Sequence, residues 1–193
     1  MAAALSPALT QAQNLFVPDA SGNIYEFAPG GTESTFATGL SRPQGLAFDS
    51  SGNLFEADDG SGRIYKFMPG GTQSIFASGL NHPRSLAFDS AGNLFEADLS
   101  DHIYQFTPSG VRSPFASGLA DPWGLAFDRA GDLFEADLKS GHIYEFTPGG
   151  TRSTFASGLS QPAFLAFQPV PEPSTWAMLG IGAIALLGFR RRI

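Results

Sequence analysis

The sequence predicts an all-β fold built from repeated four-stranded sheets. Three observations carry this: an internal repeat, turn signals at fixed places within it, and the absence of helical periodicity from the copies. The segment Leu46-Ala-Phe-Asp49 returns as Leu86-Ala-Phe-Asp89, Leu125-Ala-Phe-Asp128 and Leu165-Ala-Phe-Gln168. Phe48, Phe88, Phe127 and Phe167 therefore stand 40, 39 and 40 residues apart.

Within each period four short segments recur in order. In the copy starting at Leu46 they read LAFDSSG, NLFEAD, RIYKFMPGG and QSIFASGL. Each is rich in aromatic and β-branched residues and ends at a turn signal. Asp49-Ser-Ser-Gly52-Asn53 is suited to an Asx-type turn with glycine in the left-handed region, and Pro69-Gly-Gly-Thr72 serves the next hairpin. Four strands per period of about 40 residues is the signature of a β-propeller blade. The 23 Gly, 14 Pro and 18 Phe fit many short aromatic strands punctuated by turns. With no cysteine, neither disulfides nor thiolate metal sites can hold the fold, which must rest on packing.

The spelling resembles NHL-type propeller repeats over residues 14–168. The match is carried by Pro43-Gln-Gly45-Leu-Ala-Phe-Asp49, Gly52-Asn53-Leu-Phe, Ala57-Asp58 and Ile64-Tyr65-Lys-Phe67. The resemblance implies a fold and little about function, because propellers host many activities. Counting strands shows that the first copy, from Asn14-Leu15-Phe16, lacks the LAFD strand, whereas the last, Phe164-Leu-Ala-Phe167, has only that strand. The expectation is four blades closed by pairing of the N- and C-terminal strands, which removes open sheet edges. An open arc or an assembly between chains is the alternative, since NHL-like rings usually have six blades. Closure predicts that deleting residues 161–193 destabilises the N-terminal blade.

The formal charge is −7, and setting aside Glu172, Arg190, Arg191 and Arg192 leaves −9 ahead of the tail. That balance argues against nucleic acid, whose phosphates require a basic surface. The tail itself (169–193) runs Val170-Pro171-Glu172-Pro173-Ser174, an apolar stretch over 175–189, and Arg190-Arg191-Arg192-Ile193. Read as a single transmembrane helix, its apolar stretch rises about 22 Å and needs flanking residues to span a core of about 30 Å. The arginines place the C-terminus in the cytoplasm and the β domain across the membrane. This order of elements resembles the PEP-CTERM sorting signal. The resemblance implies recognition by an exosortase, cleavage near Pro171-Glu172-Pro173, and release or surface attachment. A plain single-pass anchor is the alternative. Residues 1–13 read as a signal-peptide remnant: Met1 to Leu9 is apolar and Thr10-Gln11-Ala12 supplies small residues before a cut at Gln13. No Lys or Arg precedes Arg42, so either the start codon lies upstream or the signal is atypical.

For chemistry, Glu56, Glu96 and Glu135 occupy one position of three copies where NHL-like repeats usually carry an apolar residue and the first copy keeps Val17. Carboxylates ringing a channel could hold a cation, which makes these three the metal candidates. The alternative is one tolerated Glu copied by duplication. Asp58, Asp98 and Asp137, with Asp49, Asp89 and Asp128, read as turn and backbone acceptors. No Ser-His-Asp or zinc-type cluster is visible, and no cofactor is expected.

Differences among the copies say more. In a four-stranded blade the first-to-second and third-to-fourth turns share one rim, which here carries the near-constant DSSGN and PGGT. The opposite rim varies, and supplies the ligand-binding candidates Arg42, Gln44, Arg63, His82, Arg84, His102, Trp123 and His142. Trp and Arg are anchor types at interfaces, although exposed loops also drift freely. The reading is an exported, non-enzymatic propeller that binds a surface polysaccharide or another envelope protein. The alternative is a metal-dependent hydrolase similar to gluconolactonase-like propellers, whose dissimilar Glu, Asn and Asp ligands find no match here.

Overall fold

The computed structural model describes residues 13–168. The segments read as signal remnant and sorting tail, including the helix over 175–189, lie outside the described residues. Fifteen strands follow in order. The first sheet has three: β1 (Leu15–Pro18), β2 (Ile24–Phe27) and β3 (Glu33–Ala37). The other three have four each: β4 (Pro43–Phe48), β5 (Leu54–Asp58), β6 (Arg63–Phe67) and β7 (Gln73–Ser78); β8 (Ser85–Phe88), β9 (Leu94–Ala97), β10 (His102–Phe106) and β11 (Arg112–Ser117); β12 (Pro122–Phe127), β13 (Leu133–Asp137), β14 (His142–Phe146) and β15 (Arg152–Ala156). Every sheet is an antiparallel meander in sequence order.

The hairpins form because their turn residues satisfy the backbone locally. Asp49 Oδ1 accepts the N–H groups of Ser51 and Asn53 at 2.9 Å each, and Asp89 does the same for Ala91 and Asn93. This fixes the register in which Phe48 faces Leu54 and Ala47 faces Phe55. A one-residue slip would turn the whole apolar set outward.

Alternation along the second strand of each complete sheet sends Leu54 and Glu56 to one face, and Phe55 and Ala57 to the other. The Phe55 face packs on Leu86, Leu94 and Phe106 of the next sheet. The Phe95 face packs likewise on Leu125, Leu133 and Phe146. The core is thus a series of sheet-to-sheet interfaces, each built on a repeated phenylalanine cluster. Phe55 meets Phe76 and Phe88 edge-on, both with centroids at 5.0 Å, and Phe95 meets Phe115 and Phe127, both at 4.9 Å.

First strands of neighbouring sheets approach closely. A Cβ on Gly45 would stand 2.5 Å from the Arg84 carbonyl oxygen, and one on Gly124 would stand 2.4 Å from that of Ala163. Glycine is required there by contact. In the intervening copy Ser85 takes the position, and its Oγ accepts the Leu125 N–H at 3.1 Å.

The terminal segment 162–168 carries no strand. It still lies where a first strand would: Phe167 meets Phe134 edge-on at 5.0 Å, and Leu165 packs on Phe134, Ala136 and Ile143. The pairing with β1 that closure within the chain requires is not among the described strand pairs, where β1 pairs with β2.

Candidate functional site

Four connections between sheets, leading into β4, β8, β12 and the terminal segment, each end in a residue followed by proline: Arg42, His82, Asp121 and Gln161. All four have positive φ, at 63°, 55°, 122° and 51°. Left-handed backbone is costly for non-glycine residues, and proline disfavours it further for the residue preceding. The same strain at each rim position turns the chain sharply into the first strand and sets the side chains on either side of the proline.

A buried acid holds this rim. Asp59, in the β5–β6 loop, receives Arg42 Nη2 at 3.1 Å and His82 Nδ1 at 3.0 Å on the same Oδ1. Its own N–H donates to the Arg42 carbonyl at 3.2 Å. Asp121 has the equivalent role at the next junction between sheets. Its Oδ1 receives Arg84 Nη1 at 2.7 Å, and Lys139 Nζ stands 3.7 Å from its Oδ2. The Arg84 guanidinium also lies 4.0 Å from the Trp123 ring centroid, so it is clamped between an acid and an indole face. The His82–Asp59 and Arg84–Asp121 pairs join neighbouring sheets, so the rim is prearranged.

Beneath it lies a cavity of about 630 Å³ facing the first strands. Arg42, Gln44, Arg84 and Trp123 line it, together with Phe16 and Phe164. Four of the eight sequence-derived ligand candidates therefore converge on one space, with His82 beside them through Asp59. The other three sit elsewhere. Arg63, His102 and His142 open β6, β10 and β14 and lie along tyrosines. Arg63 donates to the Tyr65 hydroxyl at 3.1 Å, and His102 and His142 stack on Tyr104 and Tyr144 at 5.6 and 5.5 Å. The sequence placed Asp59 and Asp121 on the varying rim but gave no sign that they anchor it, and gave none that Phe16 and Phe164 line the cavity. The signal was present only as positions that varied between copies. The sorting residues Pro171, Glu172, Pro173, Arg190, Arg191 and Arg192 lie outside the described residues.

The three glutamates are placed differently from the expected ring around a channel. Glu56, Glu96 and Glu135 are fully buried, each inside a separate interface between sheets, and none lines the cavity. Each faces a leucine and a tyrosine across the sheet: Leu46 and Tyr65, Leu86 and Tyr104, Leu125 and Tyr144. No group of three His, Cys, Asp or Glu side chains able to hold a metal occurs among the described residues. Neither oxygen of Glu56 or Glu96 has a hydrogen-bond partner among those residues. At Glu135 the backbone N–H of Trp123 favours ionisation, but only as the smallest influence. Desolvation, reinforced by Asp58, pushes the Glu56 carboxyl up from 4.5 to about 9. Desolvation, reinforced by Asp137 and partly offset by Arg152, raises Glu135 to about 8. Glu96 lies well above the usual range, with Arg112 only partly offsetting its burial. At those values the Glu56 and Glu135 carboxyls are held protonated at neutral pH, as interior packing.

Asp58 and Asp137 are acceptors that tie loops together. Asp58 takes the Ser41 N–H at 2.6 Å and the Ser61 N–H at 2.9 Å. Asp137 repeats this with Ala120 at 2.6 Å and Ser140 at 2.9 Å.

Comparison with known proteins agrees with the fold. Virginiamycin B lyase from Staphylococcus aureus with quinupristin is similar at a TM-score of 0.70 and 16% identity, over 81% of this chain and 57% of that one. A chain of the nidogen/laminin complex is similar at 0.73 and 26%, over 80% and 64%. A putative gluconolactonase is similar at 0.63 and 17%, over 76% and 62%. The chain thus spans less than two thirds of the propeller chains it resembles. No curated protein matches it. Residues 169–192 match the model of the PEP-CTERM protein-sorting motif. The chain therefore joins a β-propeller-type domain to a PEP-CTERM sorting motif, which indicates an exported protein processed at the membrane.

Proposed function

We propose that this is an exosortase-sorted binding protein of the bacterial envelope or extracellular matrix, whose central cleft takes a surface polysaccharide. The observation that supports it best is the convergence of Arg42, Gln44, Arg84 and Trp123, the positions that differ between otherwise repeated copies, on one cavity of about 630 Å³. A cleft of that size with an indole, two phenylalanines and a few fixed polar groups suits a saccharide chain: rings stack on the aromatic faces, and Gln44 and the guanidiniums bond hydroxyls. The charge of −9 ahead of the tail repels strongly anionic polymers, so a neutral glycan is favoured.

In this reading residues 175–189 hold the precursor in the inner membrane with the propeller outside the cytoplasm. Processing near Pro171-Glu172-Pro173 then frees it for the surface. Lactone hydrolysis has no comparable residue set behind it among the described residues, and an assay with divalent metals addresses it directly. The decisive experiment is a panel of neutral and uronic-acid glycans probed with wild type and Trp123→Ala. Binding of a neutral glycan that drops at least about tenfold in the variant is expected; equal binding by both, or none by either, refutes the cleft as the site.

A further inference from the structure

Between the first two sheets lies a second, smaller cavity of about 170 Å³, at the other end of β4 from Arg42. Four phenylalanines wall it, Phe16 and Phe36 from one sheet and Phe48 and Phe67 from the other. Glu26 is the one ionisable side chain among the described residues that line it. Asn14 donates its side-chain N–H to Glu26 Oε1, which holds the carboxylate in place.

The equivalent place in the next interface is occupied by a cation of the chain itself. Phe55 meets Phe76 and Phe88 at interplanar angles of 83° and 75°, and Phe16 meets Phe36 and Phe48 at 89° and 70°. The two rings therefore stand alike among their neighbours. Each faces one residue across its hairpin, Lys66 opposite Phe55 and Glu26 opposite Phe16. Lys66 Nζ lies 5.2 Å from the Phe55 ring centroid, with Asp49 Oδ2 3.9 Å away. There the chain supplies both an ammonium for the aromatic face and a carboxylate to balance it. Between the first two sheets it supplies the carboxylate alone, because the lining of the cavity contains Glu26 and no Lys, Arg or His.

We infer that this cavity binds a methylated ammonium group, with its methyl groups against the phenylalanine rings and its charge balanced by Glu26. An aromatic face attracts a cation within about 6 Å, and several faces together suit a methylated ammonium, whose surface is apolar but charged. Phe48 is 49% exposed and Met68 47%, so the aromatic wall is open to solvent beside a thioether that adapts to a ligand's shape. The formal charge of −9 ahead of the tail favours cations near this surface. A further first strand beside β1 would lie on its side away from β2, so the walls formed by Glu26, Phe36 and Met68 stand whatever precedes residue 13. The cavity shares only Phe16 with the larger cleft, and its ligand is independent of what the cleft takes.

The test is ligand-observed NMR of the full chain in a maltoside detergent, which carries no ammonium group. The probes are choline and its neutral isostere, in which a tert-butyl group replaces the trimethylammonium. Saturable choline binding is expected, with the isostere at least about tenfold weaker. Glu26→Gln should weaken choline by a similar factor. Glu26→Lys should abolish it, because the new ammonium takes the place over Phe16 that Lys66 takes over Phe55. Lys66 holds the same register in a folded sheet, so this variant should keep the wild-type melting temperature, which separates lost binding from lost folding. Phosphocholine forms a second arm: binding as tight as choline's identifies a phosphorylated headgroup as the source, and weaker binding a free cation. No saturable choline binding, an isostere bound as tightly as choline, or a Glu26→Lys variant that binds like wild type overturns the inference.

Discussion

Glu56→Gln tests the interior of the propeller by removing one ionisable group while keeping its shape. The folded protein holds the Glu56 carboxyl at about 9, against 4.5 for an unburied one, because the interface between the first two sheets desolvates it and Asp58 adds a negative charge nearby. A folded-state pKa raised above the unfolded value makes the contribution to stability complete at low pH and progressively lost as pH rises from 4.5 towards 9. Each unit costs about 1.4 kcal/mol, so at about pH 7.5 the wild type forfeits at most about 4 kcal/mol at this one side chain. The amide cannot ionise, but its own N–H and carbonyl groups also lack partners, which offsets some of the gain. The expected result is that Glu56→Gln is stabilised by about 2–4 kcal/mol at about pH 7.5 and by less than about 1 kcal/mol at about pH 4.5. Urea unfolding at both pH values, followed by tryptophan fluorescence, measures this. An equal difference at the two pH values would falsify the protonated-packing assignment, because only a carboxyl that titrates at its ordinary value in the folded protein produces no pH-dependent gap.

Glu135→Gln should show the same sign with its transition nearer pH 8, so the double variant should flatten the pH profile of melting temperature above neutrality. Gly124→Ala places a Cβ 2.4 Å from the Ala163 carbonyl oxygen, and a loss of about 1–3 kcal/mol is expected in the same unfolding assay; no loss would mean the terminal segment is not seated there. Phe95→Ala empties the cluster it shares with Phe115 and Phe127 and should cost about 3–5 kcal/mol, read as a shifted denaturation midpoint. Arg84→Ala strips the short ion pair from buried Asp121 and the cover from Trp123. Stability should fall by about 2–4 kcal/mol, and glycan affinity should fall with it.

The repeat made much of this molecule legible in advance. Four-stranded units, hairpin turns and the two incomplete end copies all follow from local rules: alternation along a strand, Asx turns at Asp49 and Asp89, and a fixed spacing of Phe48, Phe88, Phe127 and Phe167. The sorting motif was legible too, because its elements are contiguous and ordered. Other features depend on how one sheet meets the next. Whether Glu56 lines a channel or is sealed between sheets is set by the sheet it faces, and alternation alone names only the face. The convergence of Arg42, Gln44, Arg84 and Trp123 on one cavity, and the exclusion of Arg63, His102 and His142 from it, required three first strands brought side by side. The anchoring acids Asp59 and Asp121 bond partners from the adjoining sheet, 23 and 37 residues away in the chain for His82 and Arg84. What the sequence by itself determined is the unit and its repetition, since those arise from residues within a strand or a turn of one another. What only the tertiary structure decided is which side chains are buried, paired or gathered into a cleft, since those depend on contacts between units that the repeat spells almost identically.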